Sequence, residues 1–169
     1  SMERRRLAKT GMLRSAHMLG NEEEIIFAAT DLLADTKLAP ELSNEAHYYR
    51  AKAYLDAGKT DGAMEDLKVL AKDTRNVYGA EAKYKVAQIY FDGGQTDKAE
   101  QEVLNYIEVS TPHTYWLARS FVLLADVYMK LGRNLDAKQY LLSLKQNYQA
   151  DDDIAGMIES RLEKLKTEN

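Results

Sequence analysis

The stretch AKAYLDAGKTDGAMEDLKVL, residues 51–70, returns as AQIYFDGGQTDKAEQEVLNY at 87–106 and as ADVYMKLGRNLDAKQYLLSL at 125–144. Aligned on their glycines, the copies keep Ala51, Tyr54, Gly58, Ala63, Leu67 and Leu70 in register with Ala87, Tyr90, Gly94, Ala99, Val103 and Tyr106. The third set is Ala125, Tyr128, Gly132, Ala137, Leu141 and Leu144. A weaker copy, Leu13, Ala16, Gly20, Ile25, Ala29 and Leu32, precedes them. The repeat glycines thus follow one another at a nearly constant interval, the mark of stacked units that cannot close their own cores.

Each unit reads as two helices around a tight turn, because apolar residues keep helical spacing on both sides of every repeat glycine. Glycine just past a helix end takes the left-handed conformation without a Cβ clash, which accounts for its recurrence there. Asn21, Thr60, Thr96 and Asn134 follow close behind and are the expected caps of the second helices, predicted over roughly 22–34, 61–72, 97–109 and 135–147. The first helix of the second unit is expected from Pro40 to Ala57. Thr111 followed by Pro112 signals another start. Small residues at Ala51, Ala87, Ala125, Ala63, Ala99 and Ala137 let paired helices approach closely.

After the fourth unit, Asp151, Asp152 and Asp153 precede a one-sided apolar stripe of Ile154, Met157, Ile158, Leu162 and Leu165. That pattern is expected of a helix that caps the open end of an array. The N-terminal end carries no such polar cap, which predicts that residues 1–20 are the least stable part and that further repeats lie upstream. The opening Ser1, Met2 reads as a cloning remnant. The whole reads as one solenoid domain over 1–169, with repeats at approximately 5–36, 40–74, 76–110 and 112–148 and a capping helix at 151–167.

Composition narrows the function. The chain of 169 residues is 45% hydrophobic and 30% charged. Its 23 Lys+Arg against 27 Asp+Glu leave a net charge of −4, which disfavours a phosphate backbone as ligand. No apolar run is long enough to span a membrane. The chain has no cysteine, which excludes disulfides and thiolate zinc sites. Gly58, Lys59 and Thr60 imitate the end of a phosphate loop, but that motif needs glycine where Ala53 stands, between a strand and a helix. Counting a calcium loop from Asp151 puts Leu162 where a bidentate glutamate is required. His17, His47 and His113 are isolated along the sequence, and no serine or histidine sits in a nucleophile–base pattern. No catalytic, metal or cofactor site is therefore expected, and an enzyme is the weak reading.

The repeat positions, a small residue, then Tyr, then Gly, then Ala and two large apolar residues, resemble the tetratricopeptide repeat (TPR). The units are longer than the family norm, and the first departs from it at Ala16 and Ile25. The stretch from Tyr115 to Leu165 is similar to the C-terminal ends of large TPR proteins from Bacteroidetes. The resemblance implies an all-α, right-handed TPR-type α–α superhelix of helical hairpins, in a bacterial periplasm or cell envelope. It also implies a concave face lined by first-helix residues: Glu45, Tyr48, Lys52 and Leu55, then Glu81, Tyr84, Gln88 and Phe91, then Arg119, Val122, Asp126 and Met129. Tyr84 and Phe91 are its expected central anchors. The carboxylate clamp by which some relatives hold chaperone C-termini is not supported, since its positions read Thr10 and Arg14, Tyr48 and Lys52, Tyr84 and Gln88. The expected function is a non-catalytic interaction or assembly scaffold that binds a protein or peptide, with no nucleic acid and no membrane insertion. The alternative is a structural segment of a longer array that stacks or self-associates.

Overall fold

The computed structural model describes residues 1–109 and 111–167. Nine helices and no strands occur among them: α1 (Met2–Leu19), α2 (Glu22–Leu33), α3 (Pro40–Asp56), α4 (Thr60–Leu70), α5 (Val77–Asp92), α6 (Thr96–Glu108), α7 (Thr114–Lys130), α8 (Asn134–Asn147) and α9 (Ile154–Thr167). They gather into two compact units, Ser1–Asp73 and Thr74–Asn169.

The repeat glycines dictate the turns. Gly20, Gly58, Gly94 and Gly132 all have positive φ, between 70° and 80°. Each closes a Schellman motif: Gly58 N–H donates to the Leu55 carbonyl and Lys59 N–H to the Tyr54 carbonyl, and the same pair of bonds recurs at Gly94–Gln95 and Gly132–Arg133. The repeat tyrosine thus supplies the carbonyl that receives the wider-spanning of the two turn bonds. Arg50, Lys98 and Arg133 lie over the rings of Tyr54, Tyr90 and Tyr128 respectively.

The caps correct the sequence reading at four places. Asn21 caps α2 as expected, its side chain accepting from Glu24 N–H at 3.1 Å. Thr60, Thr96 and Asn134 instead are the first residues of their helices. The flanking Lys59, Gln95 and Arg133 occupy the cap positions with no side-chain cap bond. The Schellman turn leaves a single residue between glycine and helix. Thr111 does not start α7 either: its hydroxyl accepts from His113 N–H at 3.1 Å and donates to the Thr74 carbonyl at 2.7 Å, and α7 begins at Thr114.

In the first unit α2 packs on α1 and α3, and α3 on α4, around Leu13, Ile25, Ala29, Leu32, Ala46 and Ala53. Ala51 and Ala63 are fully buried. A Cβ added at Gly62 would sit 3.1 Å from the Tyr54 ring, which would have to shift by a few tenths of an ångström to admit it. In the second unit α7 is central, touching α5, α6, α8 and α9. Its core holds Tyr106, Leu123, Leu124, Val127 and Leu141, closed by Ile154, Ile158 and Leu165 of α9. Just ahead of α9 the Asp152 carboxylate accepts from Ile154 N–H, the first amide of the helix, at 2.9 Å.

Candidate functional site

The second unit brings α5, α7 and α9 around one groove. Phe91 stands on α5 two turns beyond Tyr84 along the same face, and Asp126 and Met129 stand one turn apart on α7. With Lys130 and with Lys164 of α9 they line a pocket of about 510 Å³. Phe91 and Met129 are half-buried, and Lys130 and Lys164 are exposed. Asp126 is held by Arg161 through two hydrogen bonds, at 2.7 and 2.9 Å, which balances its charge. The pocket therefore sets two half-buried apolar side chains beside two exposed lysines, in a lining that is more polar than apolar as a whole.

Toward the N-terminal ends of α5 and α7 the groove is walled by an aromatic cluster. Tyr84 packs against Trp116 with centroids 5.6 Å apart, and Tyr115 meets Trp116 edge-on at 5.0 Å. The Arg119 guanidinium lies over the Tyr84 ring and donates to both the Tyr84 and the Tyr115 hydroxyls, at 2.9 and 3.0 Å. Burial works against its charge, but the two phenol oxygens outweigh that and raise its pKa. Tyr115 donates onward to the Asp153 carboxylate at 2.9 Å, and burial, with that carboxylate, pushes its own pKa up. Tyr84 donates to Gln88 Oε1 and Gln88 to Asp92, each at 2.8 Å, so a relay of bonds runs from Arg119 along α5.

These contacts revise the expected lining. Tyr84 and Val122 are buried, with 6% and 3% exposure. Tyr84 is therefore a wall that orients Arg119 and not a free anchor, because its ring is spent on Trp116 and its hydroxyl on Gln88 and Arg119. Glu81 pairs with Lys85 at 2.8 Å. In the first unit, Glu45 is gripped by Arg14 with two bonds of 2.9 and 3.0 Å, which hold its carboxyl below the usual carboxylate range. Lys52 lies over the Tyr48 ring, and Leu55 is half-buried on the same helix.

Sequence reasoning leaves His47 isolated and misses a polar knot in the first unit. Asp66, 1% exposed, receives both arms of Arg50, at 2.7 and 2.9 Å, and lies 2.7 Å from His47 Nδ1. Burial alone would raise the Asp66 pKa, but the bonds from His47 and Arg50 prevail and lower it. The spacing of His47 and Arg50, one turn apart on α3, is visible in the sequence. Their shared partner on α4 is not. This knot is structural, and no group of acidic and histidine residues able to hold a metal ion occurs among the described residues.

Paired helices joined by Schellman turns define an all-α helical-repeat protein. Comparison agrees: residues 45–73 and 118–146 each match a family model described as tetratricopeptide repeat. No curated protein matches the chain. Among solved structures, it is similar to the nearly identical TPR-like repeats of a putative kinesin light chain from Podosopora anserina, with 15% identity, a TM-score of 0.57 and coverage of 96% of this chain and 94% of that one. A point variant of those repeats gives 16% identity, a TM-score of 0.59 and coverage of 96% and 93%. MamA gives 21% identity, a TM-score of 0.61 and coverage of 93% and 96%. At these identities the likeness establishes the fold class, TPR-type α–α repeats, and tetratricopeptide proteins in general act as interaction scaffolds. No helix among the described residues is long and apolar enough to cross a membrane.

Proposed function

We propose that the chain is a non-catalytic scaffold that receives a partner segment in the groove between α5, α7 and α9. The carrying observation is the pocket that places Phe91 and Met129 beside Lys130 and Lys164. Such a site suits a short peptide that places an apolar side chain against Phe91 and Met129 and a carboxylate near the lysines, since desolvated apolar anchors supply affinity and charges at the rim set register. In the second unit the remaining expected lining residues Glu81, Gln88 and Arg119 extend the same proposal, and in the first unit Glu45, Tyr48, Lys52 and Leu55 are proposed as a binding face of their own. A periplasmic or cell-envelope setting in a bacterium belongs to it as well, and rests on the resemblance in unit length and in the closing stretch.

Selection from a display library of random short peptides tests this reading. Peptides enriched on the folded chain should combine an aromatic or aliphatic residue with Asp or Glu and should be lost on a Phe91→Ser, Met129→Ser variant that keeps its helical circular dichroism. Enrichment of basic peptides, or retention by the folded double variant, would exclude this groove.

A further inference from the structure

A second apolar exposure lies on the outer face of the α1–α2 hairpin. Met12, Leu19 and Phe27 are 60%, 78% and 70% exposed. Together with Ala8, Gly11 and Ala28 they line a groove of about 730 Å³. Contiguous apolar surface rimmed by charge marks a contact site. Its charges are sorted by end. The chain turns back at Gly20, so Glu23 and Glu24 on the first turn of α2 sit beside Leu19, whereas the exposed Arg4 and Arg5 stand at the opposite end, where Arg6 pairs with Asp35 and Lys9 with Asp31. Along α1 the two ends are about 21 Å apart, at roughly 1.5 Å per residue.

We propose that this face is a homodimer interface, occupied by the same face of a second copy in antiparallel register. A face with one basic and one acidic end is complementary to itself about a two-fold axis that crosses both helices near Gly11 and Phe27. Arg4 and Arg5 of each copy then lie by Glu23 and Glu24 of the other. The alternative two-fold, parallel to the helices, sets like charges together and is disfavoured. Ala8, Gly11 and Ser15 allow the two α1 helices to approach closely, and the four helices form an antiparallel bundle. A Cβ built at Gly11 meets no described atom within 4 Å, so the space above it is open in one copy and filled in the dimer.

Sedimentation equilibrium of the chain over micromolar to near-millimolar concentration measures this directly. The mass should rise from 19.2 kDa to twice that value. Gly11→Leu, whose side chain enters the groove without touching its own fold, should weaken association at least tenfold while leaving the melting temperature unchanged or higher. The charge arms fix the register: R4E/R5E and E23K/E24K should each be monomeric alone and should pair with each other when mixed. A constant monomer mass at every concentration would overturn the proposal and leave the face to upstream repeats or a different partner. Dimerisation unaffected by Gly11→Leu, or no pairing on mixing the charge variants, would overturn it equally.

Discussion

Arg161 of α9 holds Asp126 of α7 with both arms of its guanidinium, Nε to Oδ1 at 2.7 Å and Nη2 to Oδ2 at 2.9 Å. The pair docks the terminal helix at the edge of the pocket that Asp126 and Lys164 share. Arg161→Ala should cost about 0.5–1 kcal/mol, since the pair is partly solvated. Hydrogen exchange should accelerate across α9 before it does in α7. Unchanged protection of residues 154–167 would show that Ile154, Ile158 and Leu165 hold α9 unaided.

The Asp66 knot sets a pH response. Its folded pKa lies below the ordinary 3.8, so its contribution is fully present above that value and is lost as pH falls through the lower folded one. Stability of the first unit should be level from about pH 7 to 5 and decline below about pH 4. Asp66→Asn should remove much of that decline and cost roughly 2–3 kcal/mol at neutral pH, because it strands the partly buried Arg50. Urea unfolding monitored at α3 and α4 across this range is the check. A decline of equal size in the variant would assign the effect to other carboxylates.

Positive φ at Gly94 and Gly132 makes these turns intolerant of β-branched residues. Gly94→Val should destabilise the second unit by at least about 1 kcal/mol, whereas Gln95→Ala in the same turn should stay within about 0.5 kcal/mol. Thermal melts of the two variants should differ by several degrees, and similar losses would contradict the Schellman geometry.

What the sequence makes legible follows from which interactions are local. Gly58, Gly94 and Gly132 announce their turns because only backbone within one hairpin is involved, and Ala51 with Ala63 or Ala125 with Ala137 announce close helix packing for the same reason. Cap positions slip by one residue because Thr60 and Thr96 have the chemistry of a cap, yet the turn places Lys59 and Gln95 there. Pairings between helices stay hidden: Asp66 with Arg50 and Arg119 with Tyr84 depend on how neighbouring helices are rotated. Tyr84 illustrates the limit. Helical register puts it on the groove face, but Trp116 and Arg119 cover it. Lys164 escapes notice because α9 lies outside the repeat register.

Charge at the rim should govern affinity for acidic peptides. K130E/K164E should weaken binding of a selected acidic peptide at least tenfold with little change in melting temperature, as neither side chain is buried. Raising salt should weaken the parent complex and spare the variant. Fluorescence anisotropy of the labelled peptide reads both effects, and equal affinities would remove the lysines from the site.

The central claim is that partners enter the groove between α5, α7 and α9, and chemical-shift mapping of the ¹⁵N-labelled chain with a selected acidic–aromatic peptide tests it most directly. The account predicts saturable perturbations centred on Phe91, Asp126, Met129, Lys130 and Lys164, with smaller ones at Gln88. Perturbations centred on α6 and α8, or confined to the α1–α2 hairpin, would contradict it.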